Sequence, residues 1–111
     1  LILLRAEANI GLNNLALAQG DIDLIRTTSG GLPVYSGAVK QVALRNELLY
    51  NKRYSLMFEG HRWLDLRHYN LLTTMPLDLP SDKRFNRMPI PVGECDPRSP
   101  QPSGCGTIAG F

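Results

Sequence analysis

The chain has 111 residues, 43% of them apolar, which suits one small domain or a piece of a larger one and excludes a wholly disordered chain. Its 12 basic residues (nine Arg and three Lys) oppose 10 Asp and Glu. The net charge of +2 is too small to argue for nucleic acid, and the Arg excess favours forked pairing with carboxylates. The longest apolar run, Leu1-Ile2-Leu3-Leu4, falls far short of the ~18 residues a membrane helix requires.

Residues 1–29 read as a helical hairpin. Leu1, Leu4, Ala8 and Leu12 fall at helical spacing, Gly11 and Asn13-Asn14 interrupt it, and Leu15, Ala18, Ile22 and Ile25 resume it. Asn14 is placed to cap the second helix, and Ala8 and Ala18 permit close approach. The opening LILLRAEANIGL is already in helical register, without Met, cap or basic leader. The expectation is a chain that starts inside a helix and forms the C-terminal part of a longer protein. The hairpin is similar to one tetratricopeptide-type repeat, with a shortened turn and without the aromatic positions. A single repeat of that kind cannot bury its own face.

The connector SGGLPVYSG follows at 29–37, where Gly30-Gly31 ends the hairpin, Pro33 prevents its continuation and Ser36 is a candidate cap. Residues 38–59 contain no Gly or Pro and are predicted to form one long helix, its stripe being Val42, Leu49 and Leu56 widened by Val39, Ala43, Tyr50 and Met57. Gly60 is suited to a left-handed stop. A short helix over 61–68 completes a helical region spanning 1–72. Seven of the eight prolines lie between Pro76 and Pro102, so 73–111 is predicted to be a Pro/Gly-rich ordered loop and tail wrapped on the helices. Met75, Leu77, Leu79, Phe85, Met88, Ile90 and Val92 give it too many apolar residues for a free tail. The fold class is mainly α: a tetratricopeptide-like hairpin, a long helix, a short helix and a Pro-rich irregular wrap.

The segment FEGHRWLDLRHYN at 58–70 concentrates the chemistry. Glu59 and Asp65 are candidates for acid/base work, but no glycine elbow or phosphate-cradling loop accompanies them, and carboxylates beside Arg are more often ion-paired. His61, Asp65 and His68 lie at i, i+4 and i+7, acceptable zinc ligands on one face, yet no cysteine pair or HExxH supports a metal. The favoured reading is structural. Glu59, Arg62 and Asp65 at i, i+3 and i+6 form a charge-locked helix–Gly–helix corner, with Trp63 as a buried anchor and Arg67 over its flank. No catalytic residue, cofactor or metal is assigned.

The run Arg53-x-x-Leu56-x-Phe58-Glu59-Gly60-His61-Arg62-Trp63-x-Asp65-Leu66-Arg67 resembles the C-terminal signature of the SusD/RagB family, roughly ER-x-x-EL-x-FEG-x-R-W/F-x-DL-R. The upstream LLRAEANIGL…ALAQGDIDLIRTTSGGLP is similar to the family's AEA…IN-x-[VI]-R-x-R-x-G segment. MPIPVGE at 88–94 resembles its PIP-x-x-E, and the closing Ala-Gly-Phe its final Asn-Pro-Gly-Tyr. The sequence departs from the pattern at Lys52 and Ser55, where the family has Glu, at His68, which replaces a common Arg, and in lacking the final Asn. Arg53 thereby loses its usual local acidic neighbours.

The resemblance implies part of a larger α-rich fold, and a surface glycan- or nutrient-binding lipoprotein of Bacteroidetes-type bacteria that acts with a SusC-like TonB-dependent transporter at the outer membrane. It implies an upstream lipid anchor that is not in this chain, and no enzymatic activity. Its ligand-binding residues lie upstream of this stretch, so none is carried over, and the motif residues Arg53, Phe58, Glu59, Gly60, Arg62, Trp63, Asp65 and Arg67 are structural. Cys95 and Cys105 flank DPRSPQPSG, which cannot form a helix and is easily closed by a covalent link. Export, implied by the resemblance, favours a disulfide between them; a cytosolic chain would leave two free thiols. The alternative function is a tetratricopeptide-like protein–protein interaction module, against which the Pro-rich wrap argues, since solenoid adaptors end in a polar capping helix.

Overall fold

A computed structural model describes residues 1–85, 90–101 and 105. The protein is mainly helical, and the chain divides into two compact units, Leu1–Asp65 and Leu66–Phe111. Helix α1 spans Ile2–Gly11, α2 Leu15–Thr28, α3 Gln41–Ser55 and α4 His61–His68; a 3₁₀ turn at Leu72–Thr74 and a one-turn α5 at Val92–Cys95 follow.

In the first unit α1, α2 and α3 share one core. Leu3, Ala6 and Ile10 of α1 meet Ala18 and Ile22 of α2 and Leu44 and Leu48 of α3, with Leu15, Ile25 and Tyr35 packed against them. Ala6 and Ala18 are both 0% exposed, so the α1–α2 approach is made by methyl groups. Burying each of Ile22, Leu44 and Leu48 contributes about 1.5–3 kcal/mol. The α1–α2 turn closes with Asn13 at φ +61, a conformation Asn tolerates better than most residues, and with Asn14 N–H donating to the Asn9 carbonyl at 2.8 Å. Asn14 stands at the N-cap of α2 as expected, but its side chain makes no capping bond.

Polar ties join each pair of these helices. Arg5 forks onto Asp21, Nε to Oδ2 at 3.0 Å and Nη2 to Oδ1 at 2.6 Å, and this holds the Arg5 guanidinium above its ordinary pKa. Arg26 of α2 donates to Glu47 of α3, and its Nε donates to the Pro33 carbonyl at 2.9 Å. Gln41 Nε2 donates to the Ile10 carbonyl at 2.9 Å, satisfying an acceptor at the open end of α1.

Lys52 is the most demanding of these ties. Its side chain is 9% exposed, and its Nζ donates to Glu7 Oε2 of α1 at 3.0 Å and to Asp65 Oδ1 of α4 at 2.6 Å. Burial works against the ammonium, but the hydrogen bonds and charges of Asp65 and Glu7 outweigh it and raise its pKa above the ordinary lysine value.

Several expectations are corrected. In α1 the buried face is Leu3, Ala6 and Ile10, while Leu1, Leu4, Ala8 and Leu12 face out. Apolar residues surround this helix, so spacing alone does not select a face. Ala6, not Ala8, therefore meets α2. The α2 set Leu15, Ala18, Ile22 and Ile25 does face the core. The third helix is shorter than 38–59: it begins at Gln41 after Lys40, not after a Ser36 cap, and ends at Ser55. Its buried face is Leu44, Leu48, Leu49, Asn51 and Lys52, whereas Val39, Val42, Tyr50 and Met57 are exposed. Gly60 is left-handed at φ +75, but it lies in the turn into α4, five residues beyond the end of α3.

The second unit holds Leu72 at 4% exposure and Cys95 at 5%. Arg84 Nε donates to the Met75 carbonyl at 2.7 Å, drawing the Pro-rich segment into a closed loop, and Leu79 N–H donates to Asp82 Oδ2 at 3.0 Å. No strand occurs among the described residues. Leu77, Leu79, Phe85 and Ile90 are each at least 36% exposed. Met88 and the final Ala-Gly-Phe lie outside the described residues, as does the side chain of Val92. Cys95 and Cys105 are joined by a disulfide with Cα atoms 5.7 Å apart.

Replacing Lys52 with Met leaves Glu7 and Asp65 facing each other without a cation; urea denaturation is expected to show a loss of about 3 kcal/mol. Because the folded pKa of Lys52 is raised, its contribution is fully present below the unfolded lysine value and is lost as pH rises through the folded one. Stability of the native chain is therefore expected to fall above about pH 10, and more steeply than that of Lys52→Met. For the cysteines, intact-mass analysis without reductant is expected to show neither thiol alkylated. The Cys95→Ser/Cys105→Ser variant is expected to lose just under ~3 kcal/mol in the chain-entropy account.

Candidate functional site

The end of α3, the turn after it and the start of α4 carry most of the motif residues. They are positioned by one anchor: Lys52, in the last turn of α3, holds Asp65 in the second turn of α4. The segment between them must then close a short loop. It does so with Leu56 N–H donating to the Lys52 carbonyl at 3.0 Å and Glu59 N–H to the Leu56 carbonyl at 3.2 Å. Two residues become left-handed, Phe58 at φ +66 and Gly60 at φ +75. Gly60 takes this conformation freely, whereas Phe58 carries strain, of order 1–3 kcal/mol for such a position.

This geometry opens a groove of about 450 Å³ lined by Lys52, Arg53, Tyr54, Leu56, Met57, Phe58, Gly60, Arg62, Trp63 and Asp65. Its walls are largely aromatic and aliphatic. Phe58 is 97% exposed. Tyr54 meets Tyr50 edge to face at 4.9 Å, and the Arg53 guanidinium sits 5.7 Å from the Tyr54 ring centre.

The expected charge lock differs in its partners. Asp65 is buried against Lys52 and not against Arg62. Glu59 is exposed, and the imidazole of His61 lies 3.9 Å from it. Among the described residues no carboxylate pairs with Arg62 or Arg53. Trp63 is half-buried and forms one wall of the groove, and Arg67 is exposed on the far end of α4. Position 52 is the hub, and its reading as a departure is corrected: counted back from Phe58-Glu59-Gly60, the pattern places Arg at 52 and Glu at 51, so Lys52 keeps the positive charge and Asn51 stands where the Glu would be. The usable signal was a Lys one turn beyond Leu48, continuing the 44/48 core phase, together with Glu7 between two alanines on α1.

The chemistry available here is limited. Asp65 is occupied by an ammonium, and Glu59 is open to solvent beside His61. Among the described residues no three His, Cys, Asp or Glu side chains come together to hold a metal. Of the zinc candidates, Asp65 is bound to Lys52 and His68 packs edge to face on Tyr69 at 4.6 Å. No described helix is long and apolar enough to cross a membrane. What the groove offers is apolar surface and two guanidinium groups.

A family model described as the SusD family matches residues 1–96, and so takes in the hairpin, α3, the groove and the loop up to Asp96. No curated protein and no solved structure matches the chain. The match covers well over half of the sequence and includes every residue that lines the groove, and the chain belongs to the SusD family.

Proposed function

We propose that the chain is the C-terminal part of a cell-surface glycan- or nutrient-binding lipoprotein of the outer membrane, acting with a SusC-like TonB-dependent transporter. The observation that carries this reading is the family match over residues 1–96. It is supported by the order of the sequence landmarks: the AEA-type hairpin, the FEG-x-R-W-x-DL-R corner and the PIP-type segment. The part of this last landmark at Met88-Pro89 lies outside the described residues. The protein on this reading is a binder and not an enzyme, a reading that rests on the family match.

In this role the first unit is a scaffold. Arg53, Phe58, Glu59, Gly60, Arg62, Trp63 and Asp65 shape and support the corner, and recognition of a saccharide falls to segments preceding residue 1. The cell-surface placement agrees with the Cys95–Cys105 disulfide, since such bonds persist under oxidising conditions.

The test is affinity purification of the full-length protein from outer membranes of its source, with calorimetry against a panel of soluble glycans. The expected outcome is co-purification of a TonB-dependent transporter and saturable binding of at least one glycan. Protease shaving of intact cells should remove the protein. Recovery from the cytosol, or co-purification with a soluble multiprotein complex and no transporter, would replace this reading with that of a tetratricopeptide-like adaptor.

A further inference from the structure

We propose that the loop closed by Cys95 and Cys105 is a processing site for an arginine-specific endoprotease, which cuts between Arg98 and Ser99 while the disulfide keeps the two pieces joined. The inference goes beyond the binding role and does not depend on it.

Cleavage after arginine needs a guanidinium free to enter an acid-lined pocket and a backbone that can be drawn into the protease cleft. Arg5, Arg26, Arg45, Arg53, Arg62 and Arg67 lie within helices, whose backbone bonds would have to break first. Arg87 lies outside the described residues. Arg84 is in a loop, but its side chain is half-buried and donates to the Met75 carbonyl at 2.7 Å, a tie that cleavage would have to undo. Arg98 meets both demands. Its side chain is 59% exposed, and its ion pair with Glu94, Nη2 to Oε2 at 2.9 Å, joins two solvated groups and holds the guanidinium weakly. Residues 96–101 are all exposed and lie outside any helix. The backbone bond that shapes the turn, Arg98 N–H to the Cys95 carbonyl, is long at 3.2 Å. Prolines at 97 and 100 flank the Arg98–Ser99 bond without occupying the position after the arginine, so the bond itself is an ordinary peptide.

The base of the loop is built differently from its tip. Cys95 is 5% exposed at the end of α5, and its Cα lies 5.7 Å from that of Cys105. Hydrolysis breaks the C–N bond between Arg98 and Ser99 and adds one water, leaving a carboxylate on Arg98 and an ammonium on Ser99. It breaks no other covalent link, so the disulfide still joins the chain before the cut to the chain after it. Separation needs a second chemistry: a dithiol that gives two electrons and two protons to the disulfide and is itself oxidised. The loop thus couples a proteolytic signal to a reductive one.

The experiment treats the native, non-reduced full-length protein with an arginine-specific serine endoprotease, which needs no thiol activator, and follows it by intact-mass and peptide mass spectrometry. The first product is expected to gain the mass of one water and to lose no piece. Adding dithiothreitol should then split it, with Ser99 as the new N-terminus. Cutting after Arg98 is expected to be at least about tenfold faster than after any other arginine of residues 1–111, because an exposed turn opens at far lower cost than a helix. Arg98→Gln is expected to stop this cut. In the Cys95→Ser/Cys105→Ser variant the same cut is expected to release the piece without dithiothreitol. A first cut after another arginine of residues 1–111 overturns the proposal. So does an uncut native chain when the urea-unfolded chain is digested, or loss of the piece from the native protein before reduction. None of these readouts involves glycan or transporter binding, so failure of that reading and failure of this one are seen separately.

Discussion

One ammonium group holds three helices in register. Lys52 leaves α3 toward the core, where an ordinary amphipathic helix would place an aliphatic side chain, and reaches Glu7 on α1 and Asp65 on α4. The α4 start, the left-handed pair at Phe58 and Gly60 and the groove all follow from that attachment, because only five residues separate the end of α3 from His61. A hydrophobic residue at 52 would pack with α1 but would not choose an orientation for α4. A charge bound to two carboxylates does choose one, since a displaced α4 would leave a buried ion without its partner. This is specificity more than raw stabilisation.

The hairpin and the order of helices were legible in the sequence because breaks in the chain are chemically plain: Gly11 with two asparagines, Gly30-Gly31 with Pro33, and Gly60. The phase of α2 was legible because its polar residues separate cleanly from Leu15, Ala18, Ile22 and Ile25. The phases of α1 and α3 were not. In α1, Leu1, Ile2, Leu3 and Leu4 cover every direction, and only packing against α2 decides among them. In α3 the buried face continues from Leu44 and Leu48 into Asn51 and Lys52, so its polar half is hidden from a hydrophobicity pattern. Val42, Tyr50 and Met57 offered a more apolar stripe that the structure leaves exposed.

The candidate site shows the same asymmetry. The sequence identified the corner and its residue types, because the density of charge around one Trp is unusual in so short a stretch. It did not identify who pairs with whom. Spacing of three and six along a helix suggests partners within that helix, whereas the carboxylate of Asp65 finds its cation thirteen residues upstream. Long-range ion pairs carry no periodic signature, and Lys52 reads as one more surface cation until the opposing charges on α1 and α4 are seen.

The connector between α2 and α3 carries a different consequence. It has almost no regular hydrogen bonding of its own and is held by side chains of α2: Asp23 Oδ1 accepts from Tyr35 N–H at 2.5 Å, Gln19 Nε2 reaches the Tyr35 carbonyl at 3.4 Å, and Arg26 holds Pro33. Helix α3 in turn begins at Gln41, after an N-cap residue, Lys40, that makes no side-chain capping bond. Its starting point is thus fixed by the few residues from Tyr35 to Lys40 together with the bond from Gln41 to the Ile10 carbonyl. Length in that stretch is therefore a mechanical variable. Residues added before Tyr35 would leave its anchorage on α2 and the start of α3 unchanged, whereas residues added after it would lengthen the span to Lys40 and leave the register of α3 to Gln41, Glu47 and Lys52 alone.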